Sequence, residues 1–420
     1  MSVRVSLPRK NAGAITSSRR GAVSAEALDS ARRIVDDVRA RSGAAVREWA
    51  ERFGERAPGE PLVLGRDEMV AARSSLDGEV RGALERAAER IRAFAEAQRR
   101  AIGEIETPVP GGRAGHTVEP VASAGCYAPG GRFPLPSSAL MGAATARAAG
   151  VERVVIATPG AAPVTVAAAA IAGADEVLAV GGPHAIASMA FGFEGFEAVD
   201  VVVGPGNAYV TAAKQLVVGV VGIDMLAGPS ELLVIADETA DPEIVAADLL
   251  AQAEHDADAS AMLVTTSAEL ADAVDEAIVR QLADLPTRAV AEAALANGFV
   301  CVVGTIEEAA RAASRVAPEH LEILTREPRA VAKLVRHAGA VFLGSRSAEV
   351  FGDYGAGPNH TLPTGGGARF GAGLSVTHFL RLRTWLELER ADEGLRVDTA
   401  RLARAEGLEG HARAAERRGG

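Results

Sequence analysis

The chain has 420 residues, a formal net charge of −11, an apolar content of 48% and two cysteines. Such a length and composition suit a globular protein of two or three domains with sizeable cores. The acidic balance argues against nucleic acid as the main partner, and two cysteines, Cys126 and Cys301, cannot build a disulfide framework. Basic stretches such as Arg413-Ala-Ala-Glu-Arg-Arg418 are short, mixed with acids, and read as solvated faces. The first ten residues hold no apolar signal core, and no apolar run approaches the ~18 residues of a membrane span. The expected setting is the cytoplasm, with no membrane partner.

In chain order, residues 25–105 read as helical: Ala27-Leu28, Ile34-Val35, Val38 and Val46–Trp49 recur at helical spacing, and an Arg/Glu/Ala stretch follows from 78 to 101. The Pro/Gly break at Pro108–Gly112 closes that region. From 117 the period changes. Val151–Thr158, Glu176–Val180 and Val199–Val203 read as buried strands. Helices at 163–173, 183–191 and 208–218 alternate with them, which predicts a parallel sheet. The pattern restarts with strands at 231–236, 261–266, 299–303 and 340–343. Asp241-Pro242 and Ser267 are placed to cap helices within it. The predicted fold class is α/β, with two parallel-sheet halves at 118–228 and 229–345. The domains expected from this are 1–117 with 229–372, 118–228, and a helical tail at 373–420 too thin in apolar residues for its own core. Such a tail packs on a neighbouring domain or subunit.

Four of the eight histidines lie in short polar clusters. Gln252 and His255 are three apart on a predicted helix and so share a face, a spacing that suits two ligands of one metal; a polar helix end also accounts for it. Asp353 and His360 lie in a Gly/Pro-rich loop after strand 340–343, where ligands collect at the carboxyl ends of parallel strands; a long surface loop is the alternative. Without cysteine pairs, a zinc site here needs nitrogen and oxygen ligands. Glu319-His320 offers a base near neutral pH beside a carboxylate, or a surface Glu-His at a turn. Glu406 and His411 close the set. Gly204-Pro-Gly-Asn207 and Gly125–Gly131 are Gly/Pro turns that could approach a phosphate, although neither is a dinucleotide fingerprint and both serve equally as tight turns. His116, His337 and His378 have no polar cluster and read as structural or surface residues.

In order, these segments resemble the histidinol dehydrogenase family. The motifs are Tyr127-Ala-Pro-Gly-Gly131, Val203-Gly-Pro-Gly-Asn207, Asp224–Glu231, Asp248–His255, Ala317-Pro-Glu-His-Leu321, Gly352-Asp-Tyr through Gly365, and Glu406–His411. The resemblance spans about residues 25 to 415 and implies incomplete Rossmann-like domains. It implies oxidation of L-histidinol to L-histidine through a bound aldehyde, with two NAD and one zinc ion per subunit. It assigns Gln252, His255, Asp353 and His411 to zinc, and Glu319 and His320 to acid/base catalysis. Substrate contacts fall to Ser230, His360 and Glu406 along with Gln252, His255, His320, Asp353 and His411. Cofactor contacts fall to Tyr127, Asn207 and the position of His184, where the family usually has Gln. It implies a homodimer in which Glu406 and His411 serve the partner's site. The His184 departure leaves room for a relative that oxidises another small polar alcohol, such as a sulfonated diol, although Glu406 suits a cationic amine. A zinc hydrolase and a catalytically inactive binding paralogue are the rival classes.

Overall fold

The computed structural model describes residues 6–15, 23–130, 133–390 and 392–418. Gly131 of the first glycine turn and the first residues of the N-terminus lie outside them. Two sheets carry the fold. Strands Ser123–Tyr127, Arg153–Ala157, Glu176–Leu178, Val201–Val203 and Gly222–Ile223 pair in parallel, and Val63–Leu64 adds an antiparallel edge to make a six-stranded sheet. The second sheet has five parallel strands, Glu231–Ala236, Ser260–Thr265, Phe299–Val302, His320–Leu324 and Ala340–Leu343. These strands are continuous runs of Val, Leu, Ile and Ala because helices cover both faces. Leu232, Leu233, Val234 and Ile235, for instance, are fully buried.

In each sheet the first strand lies between the second and the fourth, so the strand order reverses beside it. In the six-stranded sheet this switch point falls at the carboxyl ends of 123–127 and 201–203, the place where such sheets bind ligands. It carries Tyr127–Gly130 and Gly204–Asn207. Gly204 has φ +115°, and an added Cβ would lie 2.3 Å from the Tyr127 carbonyl oxygen. Only glycine lets the two loops approach this closely. Lys214 reaches under the turn, donating to Gly204 O (2.9 Å) and pairing with Asp224, whose other oxygen accepts from Gly204 N–H (2.7 Å).

Two expectations need correction. Residues 25–100 were grouped with the 229–372 half, yet their helices cover the six-stranded sheet. Ala27, Val35 and Val46 share a core with Val155, Ile186 and Val202, and Ile91 packs with Leu140 and Ile156. Helical periodicity shows that a face is apolar but not which sheet receives it. Among the described residues of this N-terminal region, 6–15 join the five-stranded sheet, where Leu7 is buried and Lys10 N–H donates to Val300 O. Second, the region after 372 is not wholly helical. Leu380–Leu388 forms a nine-residue strand along Gly112–Pro120, with Ile105–Val109 on the far side. Its Leu-Arg-Leu-Arg alternation carried a period-two signal. Helices Glu393–Ala405 and Glu409–Glu416 then pack on each other through Ala400, Ala403 and Ala412. Cys126 and Cys301 are buried free thiols. Among the described residues, no helix is long and apolar enough to cross a membrane.

Replacing Lys214 by Met should strand the buried Asp224 charge and lower the unfolding free energy by roughly 3–5 kcal/mol. Adding Asp224→Asn should restore part of the loss. Denaturant titration of both variants measures this, and an unchanged midpoint for Lys214→Met would contradict it.

Candidate active site

The ionisable cluster lies between the carboxyl edge of the six-stranded sheet and the amino edge of the five-stranded one. Helix Pro242–Ala253 opens with the predicted Asp241 cap, which accepts from Glu243 N–H, and presents Gln252 near its last turn. His255 follows just beyond, its Nδ1 3.0 Å from Ala251 O, which directs Nε2 to Asp353 Oδ2 at 3.4 Å. Ala317, at φ 54°, ends the helix Ile306–Val316 and turns the chain so that Glu319 and His320 open strand 320–324. Glu319 Oε2 accepts from Glu231 N–H at 2.9 Å, which ties the pair to the neighbouring strand beside Ser230.

Asp353 was expected at the carboxyl ends of the strands because its loop follows strand 340–343. The chain doubles back instead. Glu349 N–H donates to Glu322 Oε1 (2.7 Å), and the short helix Glu349–Asp353 brings Asp353 Oδ1 to 3.9 Å from His320 Nε2. The matching switch point of the five-stranded sheet, past Ala236 and Leu324, is taken by Asp237, which accepts from Thr239 and from Arg326 N–H. His360 joins the two sheets' layers: Nδ1 lies 3.0 Å from Asp353 O, and Nε2 lies 3.3 Å from Ser138 Oγ at the start of helix Pro136–Ala149.

One residue here escaped the sequence reading. Glu349 is buried, lies 3.4 Å from His320 Nδ1, and forms with His255 and Asp353 a group whose ligand atoms fall within 4.8 Å of one another. Its i,i+4 spacing from Asp353 was the available signal.

The electrostatics follow from burial. Desolvation pushes Glu319 up to about 8 and His320 down to about 4, so the imidazole is unprotonated at neutral pH. The hydrogen bond to Asp353 raises His255 to about 9 against desolvation. Burial disfavours the Asp353 carboxylate, but the His255 bond and the charges of His360 and His320 outweigh it and hold the group below its ordinary value. Desolvation and then the Asp353 and Glu319 carboxyls raise Glu349 well above its ordinary value. These donors suit a dication. Both amide atoms of fully buried Gln252 lack a hydrogen-bond partner, as do both ring nitrogens of His320. Orphaned buried polar atoms of this kind are costly unless a ligand satisfies them. Gln252 Oε1, His255 Nε2 and Asp353 form a nitrogen/oxygen set appropriate to zinc.

The remaining predicted residues lie elsewhere. Glu406 and His411 are exposed on the tail helices, and neither side chain makes a polar contact with the cluster. At the switch point, Tyr127 is buried; its hydroxyl accepts from Gly182 N–H (3.0 Å) and is pushed up to about 12 by desolvation. Asn207 Oδ1 caps helix Ala208–Val217 by accepting from Tyr209 and Val210 N–H, so only its amide nitrogen remains to donate. His184 is fully buried, stacked on Phe53, with Nε2 at 2.9 Å from Glu55 Oε2 and Nδ1 unpartnered. Its imidazole therefore has a single nitrogen left for any other contact.

The histidinol dehydrogenase family model matches residues 17–419. The chain is 48% identical over 392 residues to histidinol dehydrogenase of Parasynechococcus marenigrum (strain WH8102), covering 92% of this chain and 89% of that one. It is 46% identical to that of Geobacillus kaustophilus (strain HTA426), with 91% and 92% covered. The crystal structure of histidinol dehydrogenase from Elizabethkingia anophelis superposes with a TM-score of 0.90 at 34% identity, covering 97% and 94%. The chain belongs to the histidinol dehydrogenase family. Membership extends from the N-terminal helices through the exposed tail, so the two-helix arm is part of the family's architecture and not an appendage of this chain.

Beneath the cluster, Glu322 and Asp248 face each other. Burial followed by the Asp248 charge raises Glu322, and burial raises Asp248. A carboxyl whose folded value lies above its unfolded one stabilises the fold fully below the unfolded value and loses that contribution as pH rises through the folded value. Thermal stability of the metal-free protein should therefore decline as pH climbs above the ordinary glutamate range. Glu322→Gln should flatten that decline in calorimetry, and an unaltered slope would refute the role given to this pair.

Proposed function

We propose that the chain is a zinc-dependent, NAD-linked L-histidinol dehydrogenase that forms L-histidine through a bound aldehyde, the last steps of histidine biosynthesis. The observation that carries this reading is the Gln252–His255–Asp353 donor set, with Gln252 and Asp353 buried and His255 at its exposed edge, beside the Glu319-His320 pair in a chain of this family. Gln252, His255 and Asp353 would hold zinc, with His411 of a second copy completing the set. Zinc, when bound, supplies a site for the amine and imidazole of the substrate and positive charge beside the carboxyls, and NAD, when bound, supplies the hydride acceptor. Tyr127 and Asn207 flank the switch point suited to a dinucleotide, with His184 behind them.

The chain's own groups divide the proton work. His320, neutral through burial, takes the alcohol proton as the carbinol C–H bond is broken. Glu319 takes a proton from the water that adds to the aldehyde carbonyl while protonated His320 returns its proton to the carbonyl oxygen, which forms the hydrate and restores the neutral imidazole. His320 then deprotonates the hydrate for the second oxidation. A dication near His255 and Asp353 favours the ionised form of Glu319 that this requires. Keeping the aldehyde enclosed protects a reactive intermediate. Ser230 and His360 would orient the substrate, and Glu406 from the second copy would meet its amine.

A homodimer sharing its sites is supported by the arm itself. Leu382 and Leu386 on the strand and Leu402 on the following helix are 60%, 64% and 67% exposed, apolar surface that a second copy would cover. The expected compartment is the cytoplasm. The retained Glu406 and full donor set favour histidinol over a sulfonated diol.

Purified protein with zinc, NAD and L-histidinol should release two NADH per histidinol, with histidine as product. Turnover of a sulfonated diol in place of histidinol would move the assignment. Glu319→Gln should leave the alcohol step largely intact and slow the aldehyde step roughly 10²–10⁴-fold in single-turnover assays. Equal loss in both steps would sink the division of labour. Asp353→Ala should abolish stoichiometric zinc, read by elemental analysis, and His411→Ala should weaken it without altering the isolated fold.

A further inference from the structure

We propose that Glu349 is a positioning residue for His320: its carboxylate accepts from Nδ1–H and leaves Nε2 as the nitrogen that takes the substrate proton. The proposal rests on the reading of His320 as the base. Nothing in the proposed chemistry otherwise uses Glu349, yet it is only 4% exposed. Burying a carboxyl there is costly unless it has a partner.

The geometry supplies one. Glu349 Oε1 lies 3.4 Å from His320 Nδ1, while Nε2 points to the other side, where Asp353 Oδ1 stands at 3.9 Å. Glu319 approaches the same Nδ1 only to 3.8 Å, and its Oε2 is already engaged by Glu231 N–H. The Phe342 ring lies 6.0 Å from the imidazole, tilted by 42°, and limits its swing. Glu349 is itself anchored at its backbone, whose N–H donates to fully buried Glu322 at 2.7 Å. Both imidazole nitrogens lack a formed hydrogen bond, so a small closing motion would satisfy Nδ1 without disturbing another bond.

A neutral imidazole carries one proton, and a carboxylate beside one nitrogen selects the tautomer that donates to it. The burial and the crowding by Asp353 and Glu319 that keep Glu349 protonated are offset when a dication is held at His255 and Asp353, which favours the ionised form that accepts from Nδ1–H. The basic lone pair is then on the opposite nitrogen. Without Glu349 the two tautomers mix, the ring turns more freely, and only part of the population is competent.

The test uses the full-length zinc-loaded protein and its Glu349→Gln and Glu349→Asp variants. Nitrogen-15 NMR of labelled histidine, with His320→Asn to assign the signal, should show His320 as the Nδ1–H tautomer in the unaltered protein and a mixture in Glu349→Gln. For L-histidinol, kcat should fall roughly 10–100-fold with KM little changed, and Glu349→Asp should recover part of it. Zinc content should stay the same. Loss of zinc in Glu349→Gln would make the residue a metal ligand instead, and an unchanged tautomer with unchanged kcat would leave it a packing group; either overturns the proposal. If the unaltered protein does not oxidise histidinol, the functional reading fails by itself, and the tautomer measurement still decides what Glu349 does.

Discussion

The cost of burying charge organises this molecule. Asp248, Glu319, Glu322, Glu349 and Asp353 share one seam with His255, His320 and His360. Removing so many carboxyls from water is unfavourable unless they are protonated, paired with imidazolium, or set against a cation. All three solutions are visible. Glu322 and Asp248 are pushed toward the neutral form, His255 is raised by Asp353, and Gln252 adds neutral donor atoms that nothing among the described residues satisfies.

That seam could only be built between two sheets used in opposite senses. The six-stranded sheet presents its carboxyl edge, with the glycine turns at its switch point. The five-stranded sheet presents its amino edge, where Glu319 and His320 begin a strand and Ser230 precedes another. Its own switch point is filled by the bonds of Asp237. Two halves with the same strand order therefore present different groups to the seam: one its glycine turns, the other the Glu319-His320 pair and the residues packed against it. His360, reaching from the loop of one half to Ser138 of the other, is one polar joint between them, and Asn359, which donates to Met141 O and Thr145 Oγ1, is another.

The glycine turn and the arm are held by other means. Gly204 is required because Tyr127's backbone lies against it, and Lys214 with Asp224 secures the turn from below. The arm has only a small alanine cluster of its own and leaves Leu382, Leu386 and Leu402 exposed.

The sequence alone determined the elements whose signals are local. Asp241-Pro242 and Ser267 cap helices because capping is a contact between near neighbours, and the buried strands announce themselves because both faces need apolar residues. The ordered motifs also carried the family. The tertiary structure decided what depends on distant partners. It set which sheet the N-terminal helices cover, the pairing of 380–388 with 112–120, and the amino-edge position of the site. It also brought Glu349 to His320 and sealed His184 against Glu55. Apolar periodicity specifies a face to be buried, but the partner of that face is chosen by packing among many residues far apart in the chain.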